Sequence, residues 1–558
     1  MLVTMKIRTL RIILLISGLM PCMYAAAQSP YRLPAVKTPV FRKDTFDIRK
    51  FGAVADGITL NTKAINDAIV ACHKKGGGVV LVPAGQYLTG PVKLLSNVNL
   101  HLASNSMLLF SRDHNDYKLV KTNWEGLAAV RNESPISAEN AENIAITGKG
   151  IIDGSGDSWR MVKKGKLTES QWKKLLASGG YLSDDKQIWY PNASSLLGSK
   201  TKSPGVVTEG SKIEDFEAIK SFLRPNLMVL MKCKRILLEG VTFQNSAAWC
   251  LHPIMSEDIT IRSILVRNPW YAQNGDGLDL ESCKNVVVEH SVFDVGDDGI
   301  CIKSGRDEQG RKRGMPTENV WVRHCTVYHA HGGFVIGSEM SGGARNINVT
   351  DCAFLGTDIG LRFKTTRGRG GIVENIYIKN IHMADIPGDA ILFDMYYAAK
   401  DPVPMAGEVR QAPKVEFKPV TEETPQFRNF YIENVVCNGA DRAIFIRGLP
   451  EMHVRNISLN NIVISADRGI DCSEASEIRF NNVTLKTKQT APVVDVLNSD
   501  RISFGNLKYN RGADLLFRFG GDRLKQIEVK NTNVSDSKKS AEYEFGATPE
   551  QVNFTTNR

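Results

Sequence analysis

The hydrophobic pattern repeats along the chain from Asn143 onward. A polar pair followed by alternating apolar residues occurs eleven times, and most copies are 21 to 34 residues apart. Alternation with a period of two predicts short β-strands, here separated by Gly, Asn or Asp turns. One such repeat cannot bury its apolar face, whereas a stack of repeats can. The copies begin at Glu142, Lys234, Glu257, Lys284, Glu318, Arg345, Glu374, Arg428, Arg455, Ser476 and Asp500.

This repeat predicts an all-β fold, a single-stranded right-handed parallel β-helix that occupies residues 46–558. The spacing is too short and irregular for the four-stranded blades of a propeller, and the leucine and helix pattern of a horseshoe is missing. Before the repeats, the stretch from Asn61 to Lys75 has helical spacing and ends at three glycines. We expect this helix to cap the otherwise open end of the core, followed by a strand from Val79 to Pro83.

Two insertions interrupt the repeat. The first covers about residues 157–224, is rich in Lys, Trp and Ser, and has helical spacing around Glu169 to Ala177. The second covers about residues 398–425 and holds several prolines. Insertions of this kind decorate one side of a solenoid, often the binding side.

Four segments share a finer pattern: a polar or acidic group, a glycine, then a short strand. They read NGDGLDLES, GDDGICIKS, AHGGFVIGS and TDIGLRFKT, with their aligned glycines at positions 277, 299, 333 and 360. Stacked coils would place equivalent positions of these segments in register along one wall. Residues gathered in this way at the glycine bends would be Asp276, Asp297, Asp298 and His331.

Strand alternation predicts a second set of charges on the outward side of the same wall. Where Leu361 and Phe363 face the core, Arg362 and Lys364 face out. By the same parity Asp279, Glu281 and Lys303 face out, while Gly277 and Gly299 are expected to let the backbone turn and aim the carboxylates. Two hypotheses for Asp279 and Glu281 remain: they belong to the site, or they pair with Lys303 or Lys364.

These residue types indicate acid–base chemistry on an anionic substrate. Three nearby carboxylates cannot all ionise freely, so repulsion is expected to raise the pKa of at least one. A protonated acid beside ionised carboxylates is what glycosidic-bond hydrolysis requires. Arg362 and Lys364 suit a sugar carboxylate, and His331 could orient an acid or tune its charge.

Charge and composition agree with a polyanionic partner. The 558 residues carry a formal charge of +10, 42% are apolar and 23% charged. A basic surface attracts nucleic acid, acidic polysaccharide and anionic membranes alike, so charge alone does not choose among them. Nine cysteines follow residue 27, scattered and without CxxC spacing, which indicates buried thiols and neither a disulfide framework nor a zinc site.

The N-terminus reads as a secretory signal over residues 1–27. Basic residues precede an apolar run from Ile12 to Met20, and three alanines follow at positions 25–27. The apolar run is too short to span a bilayer. The mature chain is therefore expected to be exported, to the periplasm or the medium, without insertion into the membrane.

The set NGD, GDDG, HGG and RFK resembles the polygalacturonases, glycoside hydrolase family 28, over roughly residues 46–510. The resemblance implies a parallel β-helix and inverting hydrolysis of α-1,4-galacturonosyl bonds in pectin, without metal or cofactor. It implies Asp297 as general acid, Asp276 and Asp298 as holders of the attacking water, and an acidic polysaccharide, not nucleic acid, as the partner of a monomer. The remaining residues with implied roles around the subsites are His331, Arg362, Lys364, Asn274, Lys303 and Tyr397, with Tyr396 as the alternative tyrosine.

The sequence departs from the family pattern at two places. It has Asn274-Gly275-Asp276 where Asn-Thr-Asp is common, and Ala330-His331-Gly332 where Gly-His-Gly is common. Neither change removes a reactive group. The first insertion resembles additions that close one end of the cleft in exo-acting members, which predicts release of galacturonate from chain ends.

Three other functions are open on the sequence alone. A relative that acts on rhamnogalacturonan or a substituted galacturonan is the main alternative, although such enzymes tend to lose the His and the Arg/Lys pair. A pectate lyase would need calcium and a basic residue that abstracts the C5 proton. A non-catalytic β-helix would bind glycan without a cluster of three carboxylates.

Overall fold

The computed structural model describes residues 34–398 and 415–555. These residues form a parallel β-helix, as the repeat predicts: successive coils contribute strands to three walls, and each wall is a ladder of parallel pairs. The predicted signal segment, residues 1–27, and residues 399–414 of the second insertion lie outside the described part. Among the described residues, no helix is both long and apolar enough to cross a membrane.

One wall carries the four glycine segments and is named the cleft wall. Its strands pair in the order in which the coils follow each other, so residues such as Asp279, Cys301, Val335 and Arg362 lie side by side in one row. The separate strands of the cleft wall are Val92–Lys93, Ile136–Glu139, Met228–Met231, Leu251–Ile254, Leu278–Glu281, Asp298–Lys303, Gly332–Ile336, Leu361–Lys364, Val494–Leu497, Ala513–Gly520 and Ser537–Glu544.

The second wall contains the recurring polar pair followed by alternating apolar residues. Its separate strands are Thr45–Asp47, Gly78–Val82, Val98–Leu102, Glu142–Gly148, Lys234–Glu239, Glu257–Arg262, Lys284–Glu289, Thr317–Arg323, Asp500–Gly505, Lys525–Lys530 and Val552–Thr555. The third wall has the strands Asp56–Leu60, Gly85–Thr89, Ser106–Phe110, Ile151–Asp153, Thr242–Gln244, Leu265–Arg267, Val292–Asp294 and Thr326–Tyr328.

In the later coils the walls merge into strands that continue around corners. Ile372–Asp394, Gln426–Arg447 and Val454–Ser473 each contribute to all three walls, while Ala344–Leu355 and Ala475–Thr487 are shorter. The α-helices are Thr62–Lys74, Glu169–Ala177, Ala193–Ser199 and Asp307–Arg313. The 3₁₀ helices are Ile48–Phe51, His114–Asp116, Gly156–Ser158, Lys164–Lys166, Ile213–Phe222, Val534–Asp536 and Pro549–Gln551.

The polar pair of each repeat makes the corner that leads into the second wall. Its second residue adopts a left-handed conformation, with φ of 56° at Asn285, 58° at Asn319 and 57° at both Asn346 and Asn375. Asparagine tolerates this conformation better than other side chains. The amides also bond from coil to coil, with Asn319 donating to Asn285 over 3.1 Å and Asn346 donating to Asn319 over 3.3 Å. The recurring pair is therefore a turn signal that also ties adjacent coils together.

The helix Thr62–Lys74 covers the first coil, as predicted from its spacing. Its buried side chains are those of the predicted apolar stripe: Ala64, Ile65, Ala68, Ile69 and Cys72. The helix thereby closes an end at which the apolar interior would otherwise meet water. The nine cysteines of the described chain are all free and buried, as predicted from their scatter.

Stacked phenylalanines fill the core behind the cleft-wall strand Leu361–Lys364. The rings of Phe363 and Phe393 lie 4.5 Å apart, and each lies 4.9 Å from the ring of Phe430. All three side chains are fully buried. Tyr431, the next residue along the same strand, points outward and is 38% exposed.

Replacing Phe430 by Ala is expected to lower the free energy of unfolding by about 3–5 kcal/mol, because the cavity left in a close-packed stack of rings does not collapse. Urea unfolding followed by circular dichroism measures this. Tyr431→Ala is the matched control and should shift the midpoint much less, since its ring is partly exposed and stacks on Tyr377 at the surface. Equal shifts for the two variants would contradict the assignment of Phe430 to the core.

The first insertion folds as a small layer of its own. Strands Val162–Lys163, Tyr181–Leu182 and Ile188–Tyr190 form an antiparallel sheet beside the helix Glu169–Ala177, which begins and ends where its spacing predicts. Val162, Trp172 and Trp189 form its core, and Tyr271, five residues before Asp276, packs against them. The insertion is thus anchored beside the loop that carries a predicted catalytic residue.

A second structure outside the β-helix coils, a β-hairpin, was not predicted from the sequence. The strands Leu119–Trp124 and Leu127–Asn132 form an antiparallel hairpin whose two-residue turn is Glu125-Gly126, with φ of 47° and 78°. Gly126 accepts a hydrogen bond from the backbone N–H of Arg306, just past the cleft-wall strand Asp298–Lys303. The hairpin therefore extends across the cleft wall. The signal for it, a turn pair containing glycine between two strand-like runs, was present in the sequence.

Candidate active site

The structure brings Asp276, Asp297 and Asp298 together. One oxygen of each carboxylate lies within 4.8 Å of an oxygen of the other two. Asp276 precedes the strand Leu278–Glu281, and Asp298 begins the strand Asp298–Lys303, so the cluster sits where two adjacent coils enter the cleft wall.

Gly277 and Gly299 are required at these bends for a different reason from the predicted one. Neither adopts a positive φ, so the expectation that they provide a special turn is wrong. A Cβ on Gly277 would lie 2.5 Å from the carbonyl oxygen of Gly299, and one on Gly299 would lie 2.4 Å from a side-chain carbon of Val327. Glycine is needed because the coils approach too closely for any side chain.

Asp298 is buried and held between two cations. Lys364 Nζ donates to its Oδ2 over 2.7 Å, and Arg362 Nη1 donates to its Oδ1 over 3.2 Å. Burial by itself disfavours ionisation of Asp298, but the charges of Lys364 and Arg362 outweigh it and hold its pKa well below the ordinary value. Asp298 is therefore an ionised carboxylate at the floor of the site.

Asp276 has the opposite environment. It is buried, and among the described residues its Oδ1 has no hydrogen-bond partner. Burial, followed by repulsion from Asp279 and Asp297, raises its pKa well above the ordinary value. The prediction that the cluster contains a carboxylate with a raised pKa agrees with this result, although burial contributes more than the predicted repulsion.

Asp297 is the most accessible of the three carboxylates, with 26% of its side chain exposed. Its Oδ1 accepts the backbone N–H of Asp298 over 3.0 Å, and its Oδ2 accepts the backbone N–H of Asn274 over 3.1 Å. These bonds fix the carboxylate in place while leaving it open to the cleft. Asp297 can therefore touch a ligand without moving.

His331 and Tyr397 complete the open side of the site. His331 Nδ1 lies 3.8 Å from Asp297 Oδ1, and burial together with the charge of Arg362 lowers its pKa. The ring of Tyr397 lies 5.1 Å from Lys364 Nζ and 5.7 Å from the guanidinium carbon of Arg362. Tyr396 is instead buried between Arg367 and Arg447, so Tyr397 is the better candidate, as expected.

Lys303 is covered, contrary to the expectation of an exposed outward face. Its Nζ lies 2.9 Å from Glu339, 3.6 Å from Asp279 and 4.7 Å from the ring centre of Trp249. The predicted pairing of Asp279 with Lys303 is confirmed. Lys303 thus lies beneath the site, where its charge acts on Asp279 and Asp276.

Glu281 does not pair with Lys303 or Lys364, and that alternative is wrong. It is fully buried, accepts a hydrogen bond of 2.6 Å from Arg313 and lies 2.9 Å from His252 Nε2. Strand parity predicts correctly which side of the wall Glu281 faces. It cannot reveal that His252 and Arg313 lie on that side and contact Glu281.

The hairpin and the end of the first insertion lie beside the site, next to the coils that precede Asp276. The ring of Trp124 on the hairpin stacks 5.4 Å from Trp249, which lies just before the strand Leu251–Ile254. Arg224, at the end of the insertion, donates from Nη2 to Asn274 Oδ1 over 2.9 Å. Sequence reasoning missed Trp124, Trp249 and Arg224, because nothing local in the sequence marks their approach to the site.

Comparison with known proteins identifies similar chains. The family model described as glycosyl hydrolases family 28 matches residues 208–437, which include every predicted catalytic residue. A second model, described as rhamnogalacturonase A/epimerase, pectate lyase-like, matches residues 45–124. The two matches lie in different parts of the β-helix.

Among curated relatives, the chain is 32% identical over 343 residues to a protein of Vitis vinifera named "Probable polygalacturonase", covering 60% of this chain and 59% of that protein. It is 28% identical over 451 residues to the exo-poly-alpha-D-galacturonosidase of Dickeya chrysanthemi, covering 78% and 70%. The chain thus spans less than two thirds of the length of the first relative.

Two solved structures share the fold. The exopolygalacturonase of Thermotoga maritima superposes with a TM-score of 0.62 at 29% identity, covering 81% of this chain and 92% of that chain. The family 28 exopolygalacturonase of Yersinia enterocolitica superposes with a TM-score of 0.61 at 23% identity, covering 84% and 78%.

Proposed function

We infer from the membership of this chain in glycosyl hydrolase family 28 that it hydrolyses α-1,4-galacturonosyl bonds of polygalacturonate. The observation that carries this inference is the cluster of Asp276, Asp297 and Asp298, in which an accessible carboxylate lies beside one neighbour with a lowered pKa and one with a raised pKa. Such differences in environment assign acid and base roles to chemically identical groups.

The accessible Asp297 is the general acid in this proposal. It donates a proton to the glycosidic oxygen as the bond from that oxygen to the anomeric carbon breaks. Asp298, kept ionised by Lys364 and Arg362, accepts a hydrogen bond from the attacking water. Asp276 acts in its ionised form and takes the proton that this water loses as its oxygen joins the anomeric carbon; its raised pKa makes that carboxylate the stronger base.

We infer inversion at the anomeric carbon from the family resemblance and not from the spacing of the carboxylates. Oxygens within 4.8 Å of each other are closer than the ~6.5–9.5 Å that separates the two carboxyl groups in most inverting glycosidases. We keep the inverting, single-displacement course implied by the family. It requires that the first-formed product have the opposite anomeric configuration from the substrate.

The charge balance of the floor supports an anionic substrate. Arg362 and Lys364 supply two positive charges against the single negative charge of Asp298. The surplus charge is available to the carboxylate of a sugar unit next to the cut, and Tyr397 lies beside both cations. Asn274 and His331 flank Asp297 and would contact the sugar from either side.

We propose that Trp124 and Arg224 close the cleft on one side and that the protein therefore acts in the exo mode. A polymer can extend through an open groove, whereas a groove that ends at Trp124 and Arg224 admits only a chain end. The exo-acting relative of D. chrysanthemi and the T. maritima structure support this proposal. The chain is also proposed to be an exported monomer whose partner is acidic polysaccharide.

Digestion of polygalacturonate is expected to release reducing sugar with little loss of viscosity, and proton NMR of the early product should show galacturonate as the β-anomer. A rapid fall in viscosity would contradict the exo mode, and an early α-anomer would contradict inversion. Ultraviolet absorbance of an unsaturated product that disappears with a chelator would identify a lyase.

The second candidate function is hydrolysis of rhamnogalacturonan or a substituted galacturonan. It is favoured by the match of residues 45–124 to the rhamnogalacturonase A/epimerase model. That region forms the capped end of the β-helix and contains none of the proposed catalytic residues. Parallel product profiles on polygalacturonate, rhamnogalacturonan and short oligogalacturonides distinguish the two functions.

A further inference from the structure

Three arginines are buried together at the closed end of the cleft. Arg131, Arg160 and Arg224 are 4%, 1% and 5% exposed. Arg131 donates from Nε and Nη2 to the carbonyl oxygen of Arg224, so these two residues touch. Arg160 and Arg224 both reach the segment before Trp249, where Arg160 donates to the carbonyl oxygen of Ser246 and Arg224 to that of Ala247.

None of the three arginines has an ion pair with a carboxylate among the described residues. Their recorded partners are backbone carbonyls and the amide oxygens of Asn245 and Asn274, and Nη1 of the buried Arg160 has no partner there. Buried arginine side chains are ordinarily paired. Burial accordingly lowers the pKa of all three, that of Arg224 to about 10.

The cluster faces the reaction centre through Arg224. Asn274 joins the two, since it accepts from Arg224 Nη2 over 2.9 Å and donates its backbone N–H to Asp297 over 3.1 Å. The electrostatic influence of Asp276 and Asp297 reaches Arg224. Arg224 is therefore separated from the proposed general acid by a single residue, Asn274.

An aromatic ring completes the arrangement. The guanidinium carbon of Arg131 lies 3.7 Å from the ring centre of the partly exposed Trp124, whose ring stacks on Trp249. The Trp124 ring holds Arg131 by a cation–π contact, and the guanidinium groups, which lack a carboxylate partner among the described residues, are donors suited to a carboxylate ligand. The acid on the hairpin, Glu125, forms its ion pair with Arg306, and its charge also reaches Arg131 and Arg224 without forming an ion pair with either.

We propose that Arg224, supported by Arg131 and Arg160, binds the carboxylate of the terminal sugar unit at the closed end of the cleft. This subsite differs from the floor cations Arg362 and Lys364, which are paired with Asp298. The inference rests on the proposed function, because it requires a substrate whose end unit is a uronate. It makes the negative charge of that unit, and not only its hydroxyl groups, a condition for binding.

The test compares D-galacturonate with its neutral methyl ester as inhibitors of polygalacturonate hydrolysis. In the unaltered protein, the inhibition constant of the ester is expected to be at least about tenfold higher, because a site built around guanidinium donors rejects a ligand that lacks the charge. In Arg224→Gln the ratio of the two constants should fall to about one or two. Arg224→Lys, which keeps the charge, should retain part of the preference.

A ratio of constants is insensitive to a general loss of active protein, so a merely structural role of Arg224 would not change it. Arg112→Gln is the matched control, since Arg112 is an exposed arginine outside the cluster that pairs with Asp157 at the start of the first insertion. An unchanged ratio in both Arg224→Gln and Arg131→Gln would show that these arginines only bind carbonyl groups and would overturn the proposal. Absence of hydrolysis by the unaltered protein would instead refute the proposed function.

Discussion

Replacing Asp297 by Asn is expected to lower kcat on polygalacturonate by a factor of about 10³, while KM changes little. The amide keeps the shape of the side chain, and its single oxygen can still accept one of the two backbone hydrogen bonds, but it cannot give a proton to the leaving oxygen. Loss of a general acid typically costs ~10²–10⁴ in rate, which is about 3–5 kcal/mol of transition-state stabilisation. Steady-state release of reducing sugar measures the effect.

The matched control is Asp294→Asn. Asp294 lies three residues earlier, on the third wall, where it contacts His329 at the surface. Both variants should keep the unfolding midpoint of the unaltered protein. If Asp297→Asn retained a tenth or more of the activity, Asp297 would not be the acid, and the accessible position in the cluster would have another role.

Replacing Lys364 by Met is expected to lower kcat about 100-fold near neutral pH and to move the acid limb of the pH–rate profile upward. Burial disfavours ionisation of Asp298, and Lys364 and Arg362 overcome that effect in the unaltered protein. Without Lys364 the balance moves toward burial, so the pKa of Asp298 rises. Because the proposed mechanism uses ionised Asp298, activity is then lost at a higher pH as the solution is acidified.

The direction in which the acid limb of the pH–rate profile moves tests the role of Asp298. In the unaltered protein the lowered pKa keeps Asp298 ionised down to low pH, so protonation of Asp298 does not limit the rate in the acid range. Once a supporting cation is removed, protonation of Asp298 begins to limit the rate there. Lys379→Met, which removes a lysine paired with Glu433 on the second wall, should leave the profile unchanged. An acid limb that stays in place in Lys364→Met would show that Asp298 need not be ionised for the reaction.

Much of the site could be predicted from the chain. Asp276, Asp297, Asp298 and His331 precede short strands at similar places in successive coils, and in a solenoid equal position means spatial proximity. Parity also placed Arg362 and Lys364 on the same side of their strand. These predictions depend only on local periodicity, which survives any rearrangement of loops.

The errors have one origin. Glu281 and Lys303 face the expected side of the wall, but both are buried there. Glu281 lies between His252 and Arg313, and Lys303 contacts Glu339 and Trp249. Gly277 was assigned to a special backbone conformation, whereas the structure requires it for the close approach of Gly299. In each case the sequence did not reveal which residues from other coils or loops contact the residue in question.

The sequence by itself determined the coil, the wall and the set of proposed catalytic carboxylates, because a period of two and a recurring turn specify which side chains share a face. Only the tertiary structure decided the different environments of Asp276 and Asp298 and the contacts at the proposed closed end of the cleft. Those properties depend on burial and on the distances to Lys364, Trp124 and Arg224, which lie far from Asp276 in sequence. The local pattern builds the scaffold, and long-range contacts give its equivalent positions different chemistry.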